Sequence, residues 1–258
     1  DHLLRARHPG LPLTAHLGDV RDPVRMNAAF AQSRPAIVIH AAALKHVPLM
    51  EENICDAILT NVGGAVNVAR AATASGARQF VFISTDKAVA PDNVMGATKR
   101  LAELAISRIT TAAGMASAMV RFGNVLGSSG SVVPLFERQI AAGGPVTITD
   151  PEATRYFMTI EEATSLVLQA AALQREAHHA ELFVLDMGEP IAIRHLAETM
   201  IRLKGKVPGV DIAIETMGLR EGEKLHEELT YPHEALQATP ISGVQQVCYE
   251  DTPNELFN

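Results

Sequence analysis

Short apolar runs alternate along the chain with longer stretches in which apolar residues recur every three or four positions. Ile37-Val38-Ile39-His40, Gln79 to Ser84 and Ala116 to Phe122 read as buried strands. Between them, Asp56 to Ser75 and Gly96 to Ala113 carry helical spacing, and each ends beside a glycine, Gly76 or Gly114. Strands alternating with helices in this way fold as parallel βαβ units. The pattern predicts an α/β fold, a Rossmann-like doubly wound parallel sheet with a smaller C-terminal lobe.

Beyond about residue 127 the rhythm changes. Ser128-Ser129-Gly130-Ser131 reads as a loop, Pro134 to Ala142 as a helix and Val146-Thr147-Ile148-Thr149 as a short strand. Helices are expected over Glu161 to Gln174 and Arg194 to Lys204, with short strands at Leu182–Leu185 and Ile212–Ile214. The division expected is a nucleotide-binding domain over residues 1–126 and a substrate-binding lobe over 127–258, with segments near 155–187 returning to the main domain. No internal repeat or low-complexity linker interrupts it.

A dinucleotide fold opens with a strand and a glycine-rich turn that lets backbone amides approach a pyrophosphate. No useful G-x-G-x-x-G occurs, and Gly63-Gly64 lies inside a helical pattern. Leu17-Gly18-Asp19-Val20 instead resembles a later part of such a fold, where an acid lies near the adenine. The expectation is a chain that begins mid-domain, either as a fragment or with its opening residues missing from the sequence.

Composition narrows the function classes. Hydrophobic residues make up 47% and charged residues 20% of 258, which is ordinary for a globular protein. A net charge of −7 without a long basic run argues against nucleic-acid binding. Cys55 and Cys248 are too few for a disulfide framework or a zinc site, and both read as core or neutral thiols of a reducing compartment. No metal site is expected: His46 has no partner at ligand spacing, and His178-His179 reads as an exposed loop. No apolar run reaches transmembrane length, and the first residues do not form a signal peptide.

Candidate chemistry collects where strands end. Ser84-Thr85-Asp86-Lys87 closes the run Phe80-Val81-Phe82-Ile83, and Met95-Gly96-Ala97-Thr98-Lys99 opens the next helix. An acid, an amine and a hydroxyl thus sit at the carboxyl end of a strand, where open α/β sheets bind ligands. Lys99 follows Met95 by four residues, so the two share a helix face. Strand alternation leads us to expect the Asp86 and Lys87 side chains to point different ways.

These residues, with His40-Ala41-Ala42-Ala43-Leu44-Lys45-His46-Val47-Pro48, Thr60-Asn61-Val62-Gly63-Gly64, Arg121-Phe122-Gly123-Asn124-Val125-Leu126-Gly127, Thr154 to Thr159 and Arg220-Glu221-Gly222-Glu223-Lys224-Leu225, carry a resemblance. The chain resembles the extended short-chain dehydrogenase/reductase superfamily. Within it, the chain is similar to bacterial polysaccharide-biosynthesis UDP-N-acetylglucosamine 4,6-dehydratases. The superfamily's Tyr-x-x-x-Lys motif places Met95 where the tyrosine stands, as in the long, membrane-anchored branch, whose members do not invert C5.

The resemblance implies a bound NAD or NADP, which takes a hydride from sugar C4 and returns it to C6 after water is eliminated across C5 and C6. It implies UDP-N-acetylglucosamine as substrate, a homodimer or higher homo-oligomer, and the cytoplasmic face of the inner membrane as location. Asp86 becomes the acid at O6 and Lys87 the base at C5. An acid with an ordinary pKa of about 4 must then be raised by desolvation, and an amine of about 10 lowered by burial and nearby positive charge. Lys99 holds the nicotinamide ribose. Met95 cannot transfer a proton, so O4 loses its proton to Thr85, to a water or to Lys87. Asp19, Val20, Ala41, Ala42, Ala43, Lys45 and Asn61 are assigned to the dinucleotide, with Lys99. Lys45, His46, Asn124, Arg155, Arg220 and Glu223 are assigned to the substrate, the arginines to its diphosphate and Glu223 to the uridine ribose.

Plainer readings stand beside these. Asp86-Lys87 suits a solvated strand end, Met95 a core position, and Lys99 a surface pair with Glu103. Lys45-His46 suits a turn with a capping histidine, Asn124 a structural turn, Arg155 and Arg220 surface charge, and Glu223 a helix N-terminal acid. The rival functions are a nucleotide-sugar 4-epimerase, which needs a proton relay at O4 and no acid at C6, and an inactive nucleotide-sugar-binding protein.

Overall fold

Hydrophobic alternation and local capping account for most of the elements. The structure, a computed structural model, describes residues 2–128, 130–174 and 179–249. It opens with helices α1 (His2–Arg7) and α2 (Pro23–Ser33). Asp22 caps α2 by accepting from the Val24 and Arg25 amides, and Pro23 supplies the fixed φ of a first turn. Strand β1 (Ile37–His40) is followed by α3 (Val47–Glu52) and α4 (Ile54–Ala57). A π-helical stretch, Ile58–Gly63, then leads into α5 (Gly64–Ala74). The single helix expected over 56–75 is therefore three segments. Its middle is widened where Asn61 turns its side chain inward to the Leu44 backbone.

The next βα unit is β2 (Gln79–Ile83), a 3-10 turn at Asp86–Ala88 and α6 (Val94–Ala112). Asn93 caps α6 through the Gly96 amide. The stops fall beside Gly76 and Gly114, which adopt φ of 77° and 68°, conformations that suit glycine. Then come β3 (Ala116–Arg121), β4 (Asn124–Val125), α7 (Val132–Ala141), β5 (Val146–Ile148), β6 (Thr154–Arg155) and β7 (Phe157–Met158). Helix α8 (Ile160–Leu173) starts with a capping box of Thr159 and Glu162. Strands β8 (Ala180–Leu185) and β9 (Ile191–Ala192), helix α9 (Ile193–Leu203), and strands β10 (Ile214–Thr216), β11 (Glu234–Ala238) and β12 (Val244–Tyr249) complete it.

Six strands form the main sheet in the order β1-β2-β3-β8-β12-β11. The first four are parallel, and β12 and β11 each run antiparallel to their neighbours. Alternation along β2 sends Phe80 and Phe82 to one face, against Ala65, Ala69 and Ile106, and Val81 to the other, against Ala163, Val167 and Ala170. Helices α5 and α6 cover the first face and α8 the second, so the sheet is doubly wound as expected. A separate core joins α7, β5 and α9 through Phe136, Ile148 and Ile201. The strand expected at 212–214 is observed at Ile214–Thr216, paired with β5. Antiparallel β11 and β12 were not anticipated, because Glu234, Gln237, Gln245 and Gln246 break their apolar pattern.

Cys55 is exposed and Cys248 half-buried, so neither is a core thiol. Of the expected loop 128–131, Ser129 lies outside the described residues, as does His178, while His179 is exposed. Among the described residues, no helix is long and apolar enough to cross a membrane.

Candidate active site

A cavity of about 410 Å³ opens at the carboxyl ends of β1, β2 and β3. Its walls include Ala41, Ala43, Lys45 and His46 after β1, Thr85 and Lys87 after β2, Met95 and Lys99 from α6, and Gly123 and Asn124 after β3. Sequence positions far apart thus meet at one sheet edge, as the parallel topology requires. A second cavity of about 480 Å³ shares Leu44, Lys45 and His46 with the first and extends to Asp19, Arg21 and Thr60.

Asp86 and Lys87 lie on the 3-10 turn rather than on a continued strand, and this overturns the expected divergence of their side chains. Lys87 Nζ is 3.1 Å from Asp86 Oδ1, the oxygen that also accepts from the Thr85 hydroxyl at 2.8 Å and the Lys87 amide at 2.8 Å. The turn is fixed to β3 by the Asp86 amide, which donates to the Phe122 carbonyl at 3.1 Å. Asp86 is only 1% exposed, and its Oδ2 is buried without a hydrogen-bond partner. That oxygen faces Gly123, where a Cβ would stand 3.3 Å from it and 2.9 Å from Tyr156 Cβ. Gly123 lines the cavity and Asp86 itself does not, so Oδ2 lies behind the cavity wall at Gly123.

Lys87 Nζ has a second carboxylate, Glu227 Oε1, at 3.3 Å. Burial alone pulls the Lys87 pKa down, but the charges of Asp86 and Glu227 outweigh it, and the pKa is held above the ordinary lysine value. The lowered value expected for a base is therefore not present in this arrangement. Lys99 behaves oppositely: burial brings it down to about 8, with Glu103 only partly opposing. Its ammonium donates to the Ile83 carbonyl and lies 3.9 Å from the centre of the Phe82 ring.

Met95 packs on Met50 and Ala57 while also lining the cavity. Glu103 does not pair with Lys99 on the surface. It is buried, accepts from Ser84 and Arg100, and holds Arg121 through two bonds of 2.9 and 2.8 Å. Gly96 explains the glycine of the Met-Gly-x-x-Lys stretch: a Cβ there would meet the Lys87 carbonyl at 2.0 Å.

Of the other assigned residues, Lys45 and His46 line both cavities and Asp19 the second, while Asn61 and Val20 sit at one remove. Asn61 is buried and spends its carboxamide on the Leu44 backbone (2.8 and 3.0 Å) and the Thr98 hydroxyl (3.1 Å), which shapes the 41–46 loop. Val20 packs beside Gly64, where a Cβ would reach 2.6 Å from its Cγ2, and Asp19 pairs with Arg21 at 2.7 Å. Lys45 reaches Ser128 Oγ at 3.3 Å. His46 begins α3 without a side-chain capping bond, so it is not a capping histidine. Its ring is instead covered by Gly130.

Arg155 donates to the carbonyls of Thr154, Leu225 and Lys224 at 2.7, 3.0 and 2.8 Å, so its guanidinium braces the loop before β11. Arg220 is exposed, and the Glu223 carboxylate accepts from the Arg220 amide at 3.3 Å within a turn, not a helix N-terminus. Glu227 and Gly123 were missed. Gly123 stands in the quoted Arg-Phe-Gly-Asn stretch, and Glu227 lies just past Glu223-Lys224-Leu225, so proximity to those motifs was the available signal.

The model of the family described as polysaccharide biosynthesis protein matches residues 4–248. The chain belongs to the polysaccharide biosynthesis protein family. It is 54% identical to the capsular polysaccharide biosynthesis protein CapD of Staphylococcus aureus, over 84% of this chain and 36% of CapD. It is 36% identical to an inverting UDP-N-acetylglucosamine 4,6-dehydratase of Campylobacter jejuni, over 82% of this chain and 60% of that protein. The chain thus spans only about a third of the length of CapD.

Among solved structures, Pen from Bacillus thuringiensis superposes with a TM-score of 0.81 at 34% identity, over 98% of this chain and 76% of Pen. A UDP-glucose 4-epimerase of Thermus thermophilus, solved with NAD, gives a TM-score of 0.74 at 21% identity, over 89% of this chain and 85% of that one. This second likeness is one of fold. Membership of the polysaccharide biosynthesis protein family agrees with the resemblance carried by the motifs.

Proposed function

We propose that this member of the family is the catalytic region of an NAD(P)-dependent nucleotide-sugar 4,6-dehydratase acting on UDP-N-acetylglucosamine. The carrying observation is the Asp86–Lys87 pair beside the Lys99 cavity, with Met95 at the position where an epimerase needs a proton-transferring group. An epimerase uses no acid at C6, and a binding protein uses no acid–base pair.

The residues fit a dinucleotide. Ala41 and Ala43 leave room for close approach, and Lys99 offers an ammonium for ribose hydroxyls. The second cavity, reached past Lys45, suits the adenine half beside Asp19. When bound, the nicotinamide supplies a hydride acceptor at C4 and a hydride donor at C6.

The chain's own groups move the protons. Thr85 lines the cavity and already donates to Asp86, so the O4 proton passes to Thr85 while the Thr85 proton passes to Asp86. Asp86 is then a neutral acid and delivers that proton to O6 as the C6–O6 bond breaks, releasing water. Lys87 as neutral amine removes the C5 proton, the C5–C6 double bond forms, and Lys87 later returns the proton to C5. Only the O4 proton leaves with the C6 hydroxyl, so the sum is loss of one water. Taking the O4 proton abolishes the charge on Asp86, which removes one of the two attractions that keep Lys87 protonated.

Arg155 is spent on backbone carbonyls, which leaves Arg220 as the arginine for the diphosphate; that role, a homodimer or higher homo-oligomer and a place at the cytoplasmic face of a membrane belong to this same reading of the full-length protein. Mass spectrometry of UDP-N-acetylglucosamine incubated with the full-length protein and NAD tests it. Loss of one water without accumulating NADH is expected. An unchanged mass with altered sugar stereochemistry would make it an epimerase, and an unaltered sugar a binding protein.

A further inference from the structure

The second carboxylate on Lys87 has no role in the proton path above. Glu227 is buried, 8% exposed, and comes from the loop before β11, far in sequence from the 86–88 turn. Its Oε1 stands 3.3 Å from Lys87 Nζ and 3.8 Å from Arg155 Nε. Arg155 is itself held by three backbone carbonyls. The neighbouring Thr154 hydroxyl and His226 Nδ1 lie 2.9 Å apart. Glu227 is thus presented to Lys87 from a braced segment.

We propose that Glu227 is a positioning residue for the acid–base pair: it fixes the place of the Lys87 amine and sets the acidity at which that amine becomes free. This rests on the dehydratase reading given above. The charged groups facing Lys87 are Asp86 from its own turn, Glu227 from the loop before β11, and Arg155 from β6. Arg155 disfavours the ammonium, while both carboxylates favour it. Once Asp86 has taken a proton, Glu227 is the carboxylate that still holds Lys87 charged. The same Glu227 oxygen lies between two cations, Lys87 Nζ at 3.3 Å and Arg155 Nε at 3.8 Å, so its part is to hold the Lys87 amine by charge and not to accept its proton.

Glu227→Gln keeps the size and an oxygen acceptor but removes the charge. A neighbouring opposite charge within about 4–6 Å moves a pKa by about one unit or more. In the full-length protein loaded with NAD, kcat/KM for water loss should rise about tenfold at any pH where Lys87 is mainly protonated. Competitive acetylation of Lys87 with trace acetic anhydride, read by peptide mass spectrometry, should also accelerate about tenfold at pH 8. Glu227→Asp, which retains the charge one methylene further back, should move both in the same direction by less.

Lower kcat/KM at every pH with unchanged labelling would mark Glu227 as merely structural and overturn the proposal. Faster labelling without a gain in kcat/KM would overturn its role in the reaction. If the parent protein releases no water yet Glu227→Gln speeds labelling, the dehydratase reading fails while the hold of Glu227 on Lys87 stands.

Discussion

Lys99 is 6% exposed, and its ammonium meets the Ile83 carbonyl and the Phe82 ring rather than a carboxylate. Its pKa of about 8 in the fold lies below the ordinary 10.5, so from pH 8 to 10.5 the unfolded chain binds more protons than the native one. Stability should therefore rise with pH across that window. The full effect of the gap is about 3 kcal/mol, lost to the protein at neutral pH. Lys87, held above the ordinary value, contributes the opposite trend only at higher pH. Urea unfolding at pH 7 and pH 10 should show a rise in the parent that Lys99→Met lacks. Lys87→Ala belongs to this scale too. It should lower water loss by about 10²–10⁴-fold, the usual worth of a positioned acid–base group, while cofactor binding persists in calorimetry. The residues that carry the proposed chemistry were legible because Thr85, Asp86, Lys87, Met95 and Lys99 occupy one short stretch between a strand and a helix. Asn61, Arg155 and Glu223 were legible only as types, since their bonds go to Leu44, Leu225 and Arg220, partners no spacing rule identifies.

At the level of elements, the 86–88 turn and the first turn of α6 are in backbone contact, and Gly96 makes this possible. Gly96→Ala would set a methyl 2.0 Å from the Lys87 carbonyl, with the rigid Lys87 backbone and Pro91 beside it. The turn or the helix must shift, at an expected cost of about 1–3 kcal/mol or more. Because Lys87 rides on that turn, water loss should fall by more than the loss of folded protein explains. Thermal unfolding and turnover measured on the same preparation separate the two effects. Helices such as α5 and α6 were legible from periodicity and glycine stops, because one face packs on a sheet. Strands β11 and β12 were not, since Glu234 is buried for a reason lying elsewhere: its carboxylate binds Arg121. The π-helical stretch was hidden as well, because its residues keep helical spacing while Asn61 answers to a loop preceding it in the chain.

Across the whole molecule, Arg121 ties α6 to the last strands of the sheet. It is fully buried at the end of β3, bonded to Glu103 of α6 and at 2.8 Å to Glu234 of β11, with Tyr231 stacked 5.7 Å away. Burial pushes the Glu103 carboxyl up, but Arg121, Ser84 and Arg100 together hold it below the ordinary range. Glu103 thus contributes stability above its unfolded pKa of about 4.5, lost as pH falls through its lower folded value. Arg121→Met fills most of the volume but leaves Glu103 and Glu234 buried without their shared cation. Removing one partner of a buried pair costs about 3–5 kcal/mol. With the guanidinium gone, desolvation weighs more heavily on Glu103, which takes a proton more readily. The penalty of Arg121→Met should therefore be largest near pH 7.5 and shrink toward pH 5, whereas a packing defect would cost the same at both. Urea unfolding of parent and variant at the two pH values decides between them, and an equal penalty would mean that shape rather than charge joins α6 to β11.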